Sequence, residues 1–549
     1  MARKVPTTTA TASGKVADFR KVTASRIVTA SRKVTARAST PAVARPHRNG
    51  TTNGAVGKSA PARSIANFAT DAWPYAPAPE TVKVDIAANY GHFIGGKFAA
   101  SVGGGRFATI NPATEATLSE VATGTAADVD AAVSAARKAL PAWQALKPAE
   151  RGKLLYRIAR RIQERARELA ILETLDGGKP IKESRDVDIP LAAQHFFYHA
   201  GWADKLQFAF AGMNPKPVGV CGQIIPWNFP LMMAAWKIAP ALACGNTVVL
   251  KPAETTPLTA LRLAEILQEV DLPPGVVNII TGDGVAGAAL AAHSGVDKLA
   301  FTGSTDVGKK IAAAAAGTGK ALTLELGGKS ANIIFEDASI DQAVEGIIEG
   351  IYFNQGHVCC AGSRLFVQES IVDKVVRKLE LRLASIRIGD PMDKNTDIGA
   401  INSRQQLETI EKYLKIGTKE GARLHRANNC PLPNGGKRGF WCRPSFFTGV
   451  QPSHRIAREE IFGPVLSVMT FRTPEEAIQR ANNTPYGLAA GVWTDKGAKI
   501  LRLANKLEAG VVWLNTYNKF DPASPFGGVK ESGFGREGGM QGLRAYVKL

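Results

Sequence analysis

The residues best placed to do chemistry lie in FNQGHVCCAGSR, residues 353–364, where two adjacent cysteines, Cys359 and Cys360, follow soon after Gly356. A thiolate is a far stronger nucleophile than a hydroxyl. An apolar run that suits a helix, residues 346–353, precedes the pair, and a strand-like run, residues 365–367, follows it. A thiol at such a junction can face a cleft. The same cysteines also read as small buried hydrophobes, and the rest of the chain has to decide between the two.

The elements that must position this stretch come in two alternating series. From residue 218 the pattern predicts strands at 218–225, 247–250, 276–280, 298–302 and 321–326. Helices at 230–244, 257–270, 284–293 and 306–316 separate them. Such alternation means βαβ units and a parallel sheet covered on both faces. A second series follows, with strands at 332–335, 465–471, 488–493 and 510–514 and helices at 340–353, 371–388, 474–483 and 498–507. Ahead of both, residues 90–98 (YGHFIGGKF) predict a hairpin turning at Gly95-Gly96, and a short strand ends at Asn111-Pro112. Apolar residues at helical spacing mark helices at 126–140 and 149–175. The Gly-rich close, residues 525–539, is expected to hold no regular element.

The fold class is therefore α/β: two Rossmann-like parallel-sheet domains with a small oligomerisation element. The expected boundaries are a basic extension and Pro-rich linker at 1–80, a dinucleotide-binding domain at 81–324, a catalytic domain at 325–515 and a C-terminal return at 516–549. Residues 196–217 are expected to bridge.

Composition narrows the class. Hydrophobic content of 45% and charged content of 21% are those of a soluble globular protein. Six cysteines without a CxxC pair argue against a disulfide framework or a structural zinc, and eight scattered histidines predict no catalytic metal. Residues 1–70 hold thirteen Lys/Arg against one acid, Asp18, and so carry +12 of the net +20; the other 479 residues carry +8. Low complexity and a VTASR repeat at 22–26 and 28–32 predict disorder there. A transit peptide and a polyanion-binding tail are the competing readings. The body is not expected to bind nucleic acid. Residues 224–250 are apolar, but Asn228, Lys237, Asn246 and three prolines interrupt them, so no membrane span is expected. The expected location is the cytoplasm, or the mitochondrial matrix if residues 1–70 are a transit peptide.

Seven motifs occur in order: PWNFP (226–230), KPAETTP (251–257), FTGSTDVG (301–308), ELGGKS (325–330), the cysteine stretch, EEIFGPV (459–465) and PFGGVKESGFGRE (525–537). From residue 90 to the C-terminus the chain thereby resembles the aldehyde dehydrogenase superfamily. The resemblance implies oxidation of an aldehyde to a carboxylic acid with NAD and water.

Cys359 matches the family nucleophile, and Cys360 matches its dispensable neighbour. Attack on an aldehyde gives a thiohemiacetal whose oxyanion needs fixed donors; Asn228 matches the side chain that supplies one, beside the Cys359 N–H. Loss of hydride leaves a thioester, and Glu325 matches the general base that activates the hydrolytic water. CoA-acylating relatives generally lack this glutamate, so a CoA-acylating semialdehyde dehydrogenase is the alternative that Glu325 argues against.

For the dinucleotide, Gly303, Ser304 and Thr305 stand where a strand enters a helix, whose N–H groups suit a pyrophosphate. The resemblance adds Val307, Gly308 and Leu326. Lys251 and Glu254 follow a strand, where an acid accepts from ribose hydroxyls and repels a 2′-phosphate, so NAD is expected over NADP. Glu460 and Phe462 match residues at the nicotinamide ribose and ring, Trp227 is expected to wall the site, and Gly282 is expected to let the backbone pass close to the adenine. His357 departs from the glutamine common at its position, and Val358 also departs. The chain stops at Leu549, where many relatives continue with a strand that joins neighbouring subunits. A homo-oligomer is expected, either a homodimer or a homotetramer.

Overall fold

The computed structural model describes residues 76–427 and 430–549. The expectations for residues 1–70, and the start of the Pro-rich linker, lie outside the described residues.

Two large mixed sheets organise the chain. The first has eight strands in the order Gly533–Phe534, Ala321–Glu325, Lys298–Thr302, Val220–Ile224, Thr247–Lys251, Val277–Ile279, His92–Ile94 and Lys97–Ala99. Its five central strands run parallel, and antiparallel partners close both edges. Strands such as Thr247–Lys251 are buried at every position, with Val248, Val249 and Leu250 apolar on both faces. The chain starts this parallel set at Val220–Ile224 and builds outward through Thr247–Lys251 to Val277–Ile279. It then returns to the other side of its first strand with Lys298–Thr302. A crevice opens outside the carboxyl ends of strands at such a reversal. The two segments that leave those ends are PWNFP and Gly303-Ser304, so topology alone brings these motifs together.

The second sheet has seven strands in the order Arg423–Arg426, Ser445–Thr448, Val465–Phe471, Arg364–Gln368, Ala331–Ile334, Ala489–Trp493 and Val511–Leu514, all parallel except the first. Between the cysteine stretch and the helix Ile340–Tyr352 the backbone turns sharply. Asn354, Gln355 and Gly356 have φ of 48°, 53° and 77° in succession. Non-glycine residues in that region are held there only when their surroundings demand it. Here Asn354 N–H donates to Glu183 at 2.9 Å, and the Gln355 amide donates to Ala400 O at 3.0 Å.

The helix Pro230–Ala243 is buried on every side, Lys237 included. It lies in the middle of the fold and takes the chain from PWNFP toward the strand Thr247–Lys251. The hairpin turns at Gly95-Gly96 as expected, with Ile94 opposite Lys97.

Three expectations are modified. The helix expected over 149–175 is two, Pro148–Glu164 and Ala166–Gly177, divided at Arg165 (φ −97°, ψ 16°). The apolar spacing continues across the break, but the Arg165 guanidinium bonds Glu168, Glu265 and Glu269, a network reaching to the helix Leu258–Glu269 that local periodicity does not show. The Gly-rich close holds two-residue strands, Val529–Lys530 and Gly533–Phe534, the second completing the edge of the first sheet. A helix at Arg404–Lys419 and the strands Arg423–Arg426 and Ser445–Thr448 were not anticipated. Within the expected bridge, Lys216–Pro217 pairs with Val547–Lys548 near the C-terminus.

Candidate active site

A cavity of about 260 Å³ lies between the carboxyl ends of the first sheet and the cysteine turn, and both Cys359 and Glu325 line it. Phe229, Met232, Trp236, Phe353 and Phe520 contribute much of its wall. Thr302, Leu326 and Glu537 line it as well. Cys359 is half-buried, whereas Cys360 is fully buried, and Tyr517 donates its hydroxyl to the Cys360 carbonyl at 2.9 Å. The hydrogen bond with the adjacent Cys359, then burial, holds the Cys360 thiol well above its ordinary pKa. Of the two sulfurs, Cys359 is the one with access.

Asn228 is buried and tied to the cysteine turn. Its amide donates to His357 O at 2.8 Å, and Asn354 returns a bond to Asn228 O at 2.8 Å. The second hydrogen of the Asn228 amide is left for another acceptor. Trp227 meets His357 edge to face at 4.8 Å and Phe462 at 5.3 Å, which gives an aromatic wall of three rings. Burial takes the His357 imidazole down to about 3, so it is a neutral packing group. Phe462 itself has φ of 55°.

Glu325 ends the strand Ala321–Glu325 and is buried; among the described residues neither carboxylate oxygen has a hydrogen-bond partner. Burial, then the nearby Glu537 carboxylate, pushes its pKa well above the ordinary range, opposed by the Lys237 ammonium. Lys237 and Glu537 form a buried ion pair, and Lys237 also donates to Thr302 at 2.7 Å. Sequence reasoning missed this pair. The available signal was a single lysine within PLMMAAWKIAPALA, an otherwise uncharged and buried helix. A buried ammonium needs a carboxylate.

After Glu325 the chain runs Leu326-Gly327-Gly328. The Gly328 N–H donates to Glu460 at 3.0 Å, and burial raises the Glu460 carboxyl to about 7. Ser304 caps the eleven-residue helix Thr305–Ala315 by accepting from Val307 N at 3.4 Å. Val307 is exposed beside it. Gly308 packs on Leu326, since a Cβ there would stand 2.3 Å from a Leu326 methyl. Thus Gly303, Ser304, Thr305, Val307, Gly308 and Leu326 form one strand-end to helix-start surface. Lys251 and Glu254 pair at 3.2 Å, with the lysine nearly buried and the glutamate half exposed. Gly282, with φ of 142°, leans on Gly124, where a Cβ would come within 2.9 Å of the Gly124 nitrogen.

A second missed group supports the cysteine turn from below. Lys179 lies between Asp188 and Glu173, 4.2 Å over the Phe229 ring, while Glu173 accepts from Leu231 N and Glu183 from Asn354 N. Burial raises the Glu173 and Glu183 carboxyls to about 8. Among the described residues no cluster of His, Cys, Asp and Glu could hold a metal ion, and no helix is long and apolar enough to cross a membrane.

The arrangement presents one accessible thiol, an amide bonded to the turn that carries it, a carboxyl of raised pKa and a strand-end to helix-start surface suited to phosphates. The family model described as "Aldehyde dehydrogenase family" matches residues 98–549. Human retinal dehydrogenase 2 is 47% identical over 470 residues, which is 83% of this chain and 90% of the relative. An aldehyde dehydrogenase of Alternaria alternata is 46% identical over 469 residues, 83% of this chain and 94% of the relative. Among solved structures, an NAD+ complex of aldehyde dehydrogenase from Bacillus cereus superposes with a TM-score of 0.81 at 44% identity, covering 84% of this chain and 95% of that one.

Proposed function

The chain belongs to the aldehyde dehydrogenase family, and from that premise we propose that it oxidises an aldehyde to the carboxylate through covalent attachment to Cys359, with water as the final acceptor. It is an NAD-dependent oxidoreductase acting on aldehydes. The observation that carries the finer reading is that Cys359 and the unpartnered Glu325 carboxylate line one cavity.

The residues present fit the dinucleotide. A capped helix start at Ser304 offers N–H groups to a pyrophosphate. Glu254, half exposed, offers a carboxylate to ribose hydroxyls and repels a 2′-phosphate. Gly303, Thr305, Val307, Gly308, Leu326, Lys251, Glu460, Phe462, Trp227 and Gly282 complete the proposed set. When bound, the nicotinamide accepts the hydride.

The chain's own residues do the rest. The Cys359 sulfur forms a bond to the aldehyde carbon, and the carbonyl oxygen becomes an alkoxide. The Asn228 amide and the Cys359 N–H stabilise it; a donor of this kind contributes on the order of 10²–10³ in rate. Loss of hydride leaves a thioester on Cys359. Glu325 takes a proton from water, the hydroxide oxygen bonds the acyl carbon, and the carbon–sulfur bond breaks to release thiolate and the carboxylic acid, which gives its remaining proton to solvent and leaves as carboxylate. The proton on Glu325 has an adjacent acceptor and donor in Glu537 and Lys237, which also line or underlie the cavity.

Purified protein with NAD and an aldehyde panel, with and without CoA, tests this. NADH formation without CoA, with one carboxylate per NADH, is expected. Turnover that requires CoA would point to the acylating alternative.

A further inference from the structure

A π turn of five residues, Ser184–Asp188, follows the short helix Ile181–Glu183. In an α-helix, side chains five residues apart point about 140° away from each other. The wider turn brings Glu183 and Asp188 to one face, and both are buried. Arg185, Asp186 and Val187 between them are exposed, and Asp186 and Val187 line the catalytic cavity. Single π turns are frequent at functional sites.

The buried face of this segment grips both halves of the site. Glu183 accepts from Asn354 N–H at 2.9 Å, and Asn354 opens the left-handed turn ahead of the thiol. The Asn354 side chain donates to Asn228 O at 2.8 Å and to His357 O at 3.4 Å, and the Asn228 amide donates to the same His357 carbonyl at 2.8 Å. Behind Glu183, Lys179 pairs with Asp188 and stands 4.2 Å over the ring of Phe229, the neighbour of Asn228 in the chain. Glu173, 3.8 Å from Lys179, accepts from Leu231 N–H at 3.3 Å. Apolar side chains would fill this space without the cost of burying charge, so the acids are explained by what they hold.

We propose that Glu183 is a positioning residue for the Cys359 thiol: its carboxyl fixes the turn at Asn354 and Gln355, and through Asn354 it holds the Asn228 amide and the Cys359 N–H in one geometry. The inference rests on the reading of Cys359 as the nucleophile. Consecutive non-glycine residues at positive φ stay there only while their surroundings hold them. A buried Asn354 N–H left without its acceptor would draw the turn toward another one, and the bonds from Glu183 through Asn354 and Asn228 to His357 would loosen two residues before the sulfur. Burial raises the Glu183 carboxyl to about 8, so near neutral pH it carries a proton and a glutamine matches it in shape and in acceptor.

The test compares wild type with Glu183→Ala, Glu183→Asp and Glu183→Gln at neutral pH. Alanine removes the acceptor, aspartate withdraws it by one methylene, and glutamine keeps it. A loss on the order of 10²-fold in kcat for NADH formation is expected in the alanine and aspartate variants. The KM for NAD is expected to hold, because the proposed dinucleotide surface lies on other segments, and glutamine is expected to restore kcat. Alkylation of Cys359 by iodoacetamide, read by mass spectrometry without aldehyde or NAD, reports on the turn apart from the reaction. A loosened turn opens the half-buried thiol to solvent, so faster alkylation is expected in the alanine and aspartate variants and the wild-type rate in the glutamine variant. Equal alkylation in all four proteins, full turnover in the alanine and aspartate variants, or a glutamine variant as impaired as alanine would overturn the proposal. A wild type that turns over no aldehyde would instead sink the reading of the reaction, and the alkylation rates would still decide the role of Glu183.

Discussion

Gly328 lies directly against Cys359: a Cβ placed on Gly328 would stand 2.5 Å from the Cys359 carbonyl oxygen. The strand end that carries Glu325 and the turn that carries the thiol therefore approach as closely as backbone allows. A methyl group there must push the two apart by several tenths of an ångström. Misplacement on the ångström scale costs on the order of 10²-fold in rate. Gly328→Ala is expected to lower kcat/KM by about that factor while the far-ultraviolet circular dichroism stays as in wild type. Wild-type kinetics in this variant would show that the contact does not set the site.

Asn228 holds the turn through its Nδ2, 2.8 Å from His357 O, and in the proposed reaction its second amide hydrogen serves the alkoxide. Asn228→Ala removes both, and a loss of about 10²–10³ in kcat is expected. Asn228→Asp is expected to do worse than Ala, because a carboxylate repels the developing negative charge. A loss of less than threefold in the alanine variant would remove Asn228 from the reaction.

We propose that cofactor choice rests on a half-exposed carboxylate. Glu254 pairs with Lys251 at 3.2 Å and stands where a ribose is expected. Replacing it with serine removes like-charge repulsion toward a 2′-phosphate. The ratio of kcat/KM for NADP to that for NAD is expected to rise about tenfold, on the order of one exposed charge interaction. An unchanged ratio would place the discrimination elsewhere.

The buried acids at the cavity fix the sign of a pH response. Burial, then Glu537, raises the Glu325 pKa, so the carboxylate proposed as base is depleted as pH falls well before the ordinary carboxylate range is reached. The acid limb of the kcat profile is therefore expected at unusually high pH. Glu537→Gln removes a neighbouring negative charge and leaves Lys237 to favour the ionised Glu325, so the limb is expected to move to lower pH. Movement to higher pH would contradict the assignment.

Much of this was legible because local pattern and fold agree. The strands Lys298–Thr302 and Val465–Phe471 are largely apolar and almost wholly buried, so both faces need covering, and their ends match the expected boundaries. The motifs around Asn228, Glu325 and Cys359 each mark a strand end or turn, which is where the structure puts them. What was not legible depends on contacts between distant segments. Arg165, at the helix break, bonds Glu265 and Glu269 about a hundred residues away as well as the local Glu168. Lys237 meets a glutamate 300 residues later in sequence. The left-handed backbone at Asn354 and Gln355 is imposed by Glu183 and by Ala400 and Gly399 around it, and carries no glycine signature of its own.

The central claim is that the acyl group passes through the Cys359 sulfur and leaves by water that Glu325 activates. Glu325→Gln keeps the shape of the side chain and removes the base, so hydrolysis is expected to stall with the acyl group attached. Mass spectrometry of this variant after mixing with NAD and benzaldehyde reads the outcome directly. The predicted result is a burst of about one NADH per active site together with a benzoyl adduct on the peptide carrying Cys359, specifically on that residue. An adduct on Cys360, or steady turnover with no adduct at all, would contradict the account.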